Sequence, residues 1–263
     1  MVLRHPFGSL GLAWLACALV LSGCSLDDVD SDAIRTQGMF ADMLALAPGD
    51  GTTFVRVRLT VGGASGTNIT LVNDDRLEAT FREVTAVLDR TGDGRYEAQL
   101  EGDAAGEVGV WLTRGPDDLP AGGSALLPEP FITQLVTDAS VGIDRASEVV
   151  VSWAPAVPGG VVRWELGGRC LWTRSGATPD DGSLTLGPES FEVRGTRAGE
   201  ECEVTITLDR ATVHDVDPLW IPGSAFEAIQ RRAVRFVSTP APSEGAALEL
   251  DDDDAAGSLP APD

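Results

Sequence analysis

Residues 54–61 alternate with a period of two, placing Val55, Val57, Leu59 and Val61 on one side and Phe54, Arg56, Arg58 and Thr60 on the other. A strand turns successive side chains to opposite faces, so this pattern predicts a half-buried β-strand and excludes an amphipathic helix for the same residues. Further candidate strands fall at 69–72, 77–81, 83–88, 95–100 and 108–113, and again at 149–155, 161–166, 169–173, 183–186, 191–193, 202–208 and 226–237. Gly, Pro and Asp clusters separate many of them, among them Pro48-Gly49-Asp50-Gly51 and Asp180-Asp181-Gly182, which supply the backbone angles that tight turns require. Short strands punctuated in this way predict an all-β chain of sandwich type. Residues 39–46 read either as a strand pairing back across the 48–51 turn or as a short helix, with the strand preferred.

One region interrupts every period. Residues 115–130 hold Gly115-Pro116, Pro120, Gly122-Gly123, Pro128 and Pro130. Proline donates no backbone hydrogen bond, so this density argues against a central strand or a helix interior. The expectation is a linker at 115–130 joining two β-sandwich domains, 37–114 and 131–239. Beyond them, residues 240–263 are rich in Pro, Ala, Gly and acid and include Asp251-Asp252-Asp253-Asp254. Too little apolar side chain is present there to offset the entropy of ordering, which predicts a disordered acidic tail.

The first residues have another character. Arg4 and His5 precede an almost unbroken apolar run of 12 residues at 10–21, followed by small residues and a cysteine. A membrane-spanning helix needs about 20 apolar residues, so the run reads as an export signal occupying residues 1–23. Leu21-Ser22-Gly23-Cys24 resembles the lipobox of bacterial lipoproteins. That resemblance implies cleavage before Cys24, lipidation of its thiol, and a membrane partner engaged through the lipid. Ser25, where aspartate would favour the inner membrane, implies the outer membrane as destination. Residues 24–36, with Asp27, Asp28, Asp30 and Asp32, then form an acidic leash.

Two further stretches resemble known sandwich families. Gly92-Asp93-Gly94 followed by Tyr96, the chain's one tyrosine, resembles the turn before a late strand in bacterial immunoglobulin-like domains, where the tyrosine helps fix the turn. Val149-Val150-Val151-Ser152-Trp153-Ala154-Pro155 resembles the second strand of fibronectin type III domains, whose tryptophan packs in the core. Ala98 stands where antibody-type domains carry a cysteine, so the likeness is to relatives without that disulfide. Two cysteines remain once Cys17 leaves with the signal and Cys24 is lipidated. In an exported chain, Cys170 and Cys202 are expected to pair.

Charge and residue chemistry narrow the function. The chain has 19 basic and 41 acidic residues, a net charge of −22, and every basic residue is arginine. Removing the signal takes away Arg4 and makes the net charge −23. Such a surface repels nucleic acid, and the absence of lysine excludes Schiff-base and P-loop chemistry. His214, with Asp215 and Asp217, is the mature chain's one histidine and reads as a turn before Pro218 rather than a metal site. Residues 89–100 miss the glutamate that a calcium loop needs at its last position, which is Leu100. Trp111, Trp153, Trp164, Trp172 and Trp220 read as sandwich filling, with a sugar platform as the alternative. No catalytic residue, cofactor or metal is expected. The preferred reading is a non-catalytic envelope lipoprotein that binds a protein or glycan or acts as a spacer; a small-ligand or divalent-cation receptor comes next, and a carboxylate hydrolase last.

Overall fold

A computed structural model describes residues 28–115, 120–197 and 199–241. The signal, Cys24 and the acidic tail beyond residue 241 lie outside the described residues. The first half forms β1 (Val29–Asp30), β2 (Met39–Ala47), β3 (Thr52–Val61), β4 (Thr67–Thr70), β5 (Arg76–Phe81), β6 (Val84–Val87), β7 (Asp89–Gly92), β8 (Arg95–Glu101), β9 (Gly106–Thr113) and β10 (Ala121–Leu127). The second forms β11 (Ile132–Leu135), β12 (Ile143–Asp144), β13 (Val149–Ala154), β14 (Val161–Gly168), β15 (Leu171–Pro179), β16 (Ser183–Leu186), β17 (Cys202–Asp215) and β18 (Ala225–Thr239).

The predicted alternation builds the first core. Val55, Val57 and Leu59 of β3 and Met39, Ala41 and Met43 of β2 are fully buried against Leu77, Ala79 and Phe81 of β5 and Val108, Val110 and Leu112 of β9. Residues 39–47 are therefore a strand, paired antiparallel to β3 across the 48–51 turn. The covering sheet runs β10-β9-β5-β6. Tyr96 accepts a hydrogen bond from the Leu71 amide at 2.7 Å and donates to the Ile69 carbonyl at 3.0 Å. The phenol thus fixes the end of β4 rather than its own turn. That turn depends on Gly94, whose φ is +66° and where a Cβ would stand 2.6 Å from the Leu59 carbonyl.

The second core lies between a three-stranded sheet, β11-β13-β16, and the strands β15-β14-β17-β18. In chain order these are seven strands split three and four, as in fibronectin type III sandwiches. Trp153, on the second of them, is 5% exposed and packs in the core as the resemblance implies.

The two sandwiches are not joined by a linker alone. β17 and β18 form one antiparallel hairpin from Cys202↔Ser238 to Asp215↔Ala225. One half of it completes the second sandwich, where Val204, Ile206, Leu208 and Phe236 are buried. The other half pairs parallel to β2 in the first, where Phe226 and Ala228 join the core together with Trp220 from the hairpin loop. The loop is held by the Ile221 amide on the Met39 carbonyl and the Asp217 amide on the Gly122 carbonyl. The result is a single eleven-stranded sheet through both cores.

Three expectations need correction. Residues 115–130 include β10, an edge strand paired to β9 along its length. Gly122 and Gly123 there are not breakers: a Cβ would stand 2.1 Å from the Val110 carbonyl at one and 2.8 Å from the Val216 side chain at the other. The described part of the acidic leash is folded, because β1 pairs with β4, and buried Arg114 donates to the Ser31 and Ile34 carbonyls and the Asp75 carboxylate. Residues 191–193 make only an isolated bridge, Val193 with Leu171, after a 3-10 turn at Pro188–Ser190. The domain limits shift accordingly, with the start of β18 belonging to the first sandwich.

Candidate functional site

Alternation along β17 turns Arg210 inward beyond Leu208, where the first core gives way to the second. Its guanidinium meets Asp180 with two hydrogen bonds of 2.6 and 2.9 Å, and donates to the Pro155 and Glu129 carbonyls at 2.9 Å each. Asp180 is 2% exposed and also accepts from Trp153 Nε1 at 2.8 Å. Burial pushes the Asp180 carboxyl up, but the hydrogen bonds from Arg210, Trp153 and the Val157 amide outweigh it and hold the group below its ordinary value. Phe131 lies 4.6 Å from the Arg210 guanidinium and 5.5 Å from that of Arg232. Arg232 reaches the Ala47 carbonyl of the first sandwich at 3.2 Å, and Gln230 reaches the Asp103 carbonyl at 2.6 Å. These polar groups are mutually satisfied inside the junction, which makes it a latch rather than an open site.

The opposite end of the second sandwich is different. Cys170 and Cys202 form a disulfide that closes the segment containing β15, β16 and the following loop. Arg145, behind it, donates to Ser238 Oγ at 3.1 Å and to Cys170 Sγ at 3.3 Å. In front, the Arg194 amide bonds the Cys170 carbonyl at 2.9 Å, and the Arg194 guanidinium stacks 5.0 Å from the ring of Trp172. Arg197 donates to the Arg169 carbonyl at 3.2 Å, and Arg169 to the Glu201 carbonyl at 3.3 Å. All four residues are exposed, Trp172 by 47%. None of the three arginines has a carboxylate partner among the described residues, whereas neighbouring Arg174 is paired with Glu192. Glu200 and Glu201 flank the patch.

The other residues singled out by sequence go elsewhere. Trp153 and Trp220 are core, while Trp164 lies partly buried across Gly176. Trp111 is 40% exposed on the outer face of β9, beside Gly109. His214 Nε2 accepts the Leu126 amide at 3.2 Å and so helps seat β10, while Asp217 caps the Leu219 amide at 2.8 Å. These groups do not converge. A depression of about 550 Å³ lined by β14, β15 and β17 includes two arginines already paired, Arg231 with Asp209 and Arg163 with Glu227. Sequence reasoning did not single out Arg169, Arg194 and Arg197. The available signal was four arginines, Arg169, Arg174, Arg194 and Arg197, within or bordering the segment between two cysteines, in a chain this acidic.

No family model matches the chain, and no curated protein matches it. Among solved structures it is similar to the FN1–FN3 domains of chicken CNTN1 at 9% identity, covering 81% of this chain and 68% of that one with a TM-score of 0.26. It is similar to the D0–D1 domain of intimin at 12% identity, with 75% and 98% covered and a TM-score of 0.25. It also resembles alpha-2-macroglobulin of E. coli at 13% identity, covering 78% of this chain but 14% of that one, with a TM-score of 0.23. At such scores no residue correspondence transfers, and the fold rests on the strand pairings described above.

Proposed function

We propose that the protein is a non-catalytic cell-envelope lipoprotein, anchored through lipid on Cys24 at the outer membrane, that holds a binding tip away from the bilayer. The observation that carries this reading is the placement of the two ends. β1 enters beside Ile69, near the end of the first sandwich farthest from the junction, and the arginine tip closes the far end of the second. From the Met39 row through Ala47↔Gln230 to the Ser238 row the sheet runs sixteen residue steps, about 54 Å at ~3.4 Å per residue. Cys24 precedes the first described residue by four positions, a reach of about 13 Å. The folded body would therefore stand close to the membrane with the tip outward. The lipid supplies the membrane affinity, since several acyl chains at about 0.8 kcal/mol per buried methylene hold a protein durably.

A fatty-acid label tests the anchor. Wild-type protein is expected to take the label and fractionate with the outer membrane, and Cys24→Ala to lose both properties. Label persisting in the variant, or wild-type protein wholly in the soluble fraction, contradicts the anchor. A second reading, divalent-cation binding, has no observation in its favour among the described residues.

A further inference from the structure

We infer that the tip formed by Trp172, Arg169, Arg194 and Arg197 is a binding site for an acidic polysaccharide whose sugars carry carboxylates. The inference rests on, and deepens, the reading of the protein as an envelope binding module.

In a chain of net charge −22, three arginines without carboxylate partners lie together at one pole. At physiological ionic strength, screening acts over about 8 Å, so a ligand at the tip responds to the local balance, three arginines against the flanking Glu200 and Glu201, more than to acids on the distant first sandwich. Arg169 and Arg197 each spend an N–H on a backbone carbonyl, and the remaining edges of these carboxylate-free guanidiniums are planar forks that match carboxylates with two parallel hydrogen bonds.

Trp172 follows buried Leu171 on β15, where that strand bridges Val193, and its ring is half exposed. Arg194 holds it by stacking. A uronate ring presents an apolar C–H face and a carboxylate on one rigid unit, and so meets both features at once. Acidic peptide side chains offer the carboxylate without the flat face. The disulfide and Arg145 fix the loop from behind, which reduces the ordering entropy lost on binding.

The test is affinity electrophoresis and calorimetry of the full mature chain with polygalacturonate, alginate and neutral dextran. Retention by one or both uronate polymers and none by dextran is expected. Arg194→Ala with Arg197→Ala should weaken binding about tenfold or more, and Trp172→Ala by a similar factor. Arg82→Ala, an exposed arginine stacked on Phe81 in the first sandwich, should leave it unchanged. All are surface changes, and unchanged circular dichroism confirms that each variant is folded. Equal retention by dextran, binding indifferent to the tip variants, or displacement by polyglutamate as readily as by free polymer would overturn the proposal. The same variants expressed in cells separate the two readings: lost polymer retention with normal outer-membrane fractionation isolates the tip. Failure of wild-type protein to bind the polymers while still fractionating there removes the ligand but leaves the envelope module.

Discussion

Arg210→Met is expected to destabilise the second sandwich by about 3–5 kcal/mol, among the largest effects available to a single substitution in this chain. The cause is not the loss of attraction alone. Asp180 is fully buried in practical terms, and without the guanidinium its carboxylate keeps only Trp153 Nε1 and a backbone amide as donors. Two carbonyls, of Glu129 and Pro155, also lose their donor, and Phe131 loses one of its two stacked cations. Pairing Arg210→Met with Asp180→Asn should recover part of the loss, because the uncompensated charge is then gone. The acid limb of stability follows with a definite sign. Asp180 is held below its ordinary pKa in the folded state, so its contribution is present above the unfolded value near 3.8 and is lost as pH falls through the lower folded value. In Arg210→Met that depression disappears, and acid unfolding should begin at higher pH. Chemical denaturation at two pH values measures both effects, and a variant within 1 kcal/mol of wild type would show that the latch is not structural.

Removing the disulfide should be nearly as costly. Cys170 and Cys202 are 32 positions apart, and closing a loop of that size restricts the unfolded chain by about 3.5–4 kcal/mol. At roughly 2–4 °C per kcal/mol for a body of this size, reduction or a Cys170→Ala, Cys202→Ala double variant should lower the melting temperature by about 7–15 °C. The loss should be felt most at the tip, because the bridge ties the start of β15 to the start of β17 around the loop that carries Arg194 and Arg197. Mass spectrometry of a non-reduced digest establishes the linkage, and calorimetry with and without reductant reads the effect. Identical melting in both would show that the bridge does not stabilise the fold.

What could be read from the sequence was governed by whether one local rule acted alone. Val55, Val57 and Leu59 show the strand period outright, and all are fully buried. Trp153 and the Cys170–Cys202 pair were likewise legible, because a core tryptophan on an apolar strand and a leftover pair of cysteines each have few alternatives. β10 was not, because Gly122 and Gly123 carry the same letters whether they break a strand or permit close approach to β9 and to Val216. Pairing decides between the two. The long hairpin was hidden for a related reason: beyond Leu208 the inward positions are Arg210, Thr212 and His214, polar because they serve the junction and β10 rather than an apolar core. The period continues while its chemistry changes, so a hydrophobic pattern search stops at 208. The tip was missed because its arginines act through what they lack, a carboxylate partner, and that is a property of three-dimensional neighbourhoods.

If β17 and β18 weld the two sandwiches into one rigid spacer, the halves must tumble as a single body. Residual dipolar couplings of the mature chain measure this, comparing amides of β5 and β9 in the first sandwich with those of β13 and β16 in the second. A shared hairpin predicts that one alignment tensor fits both sets. Two tensors of different orientation or magnitude would mean that the sandwiches move independently and that the tip is not held at a fixed distance from the membrane.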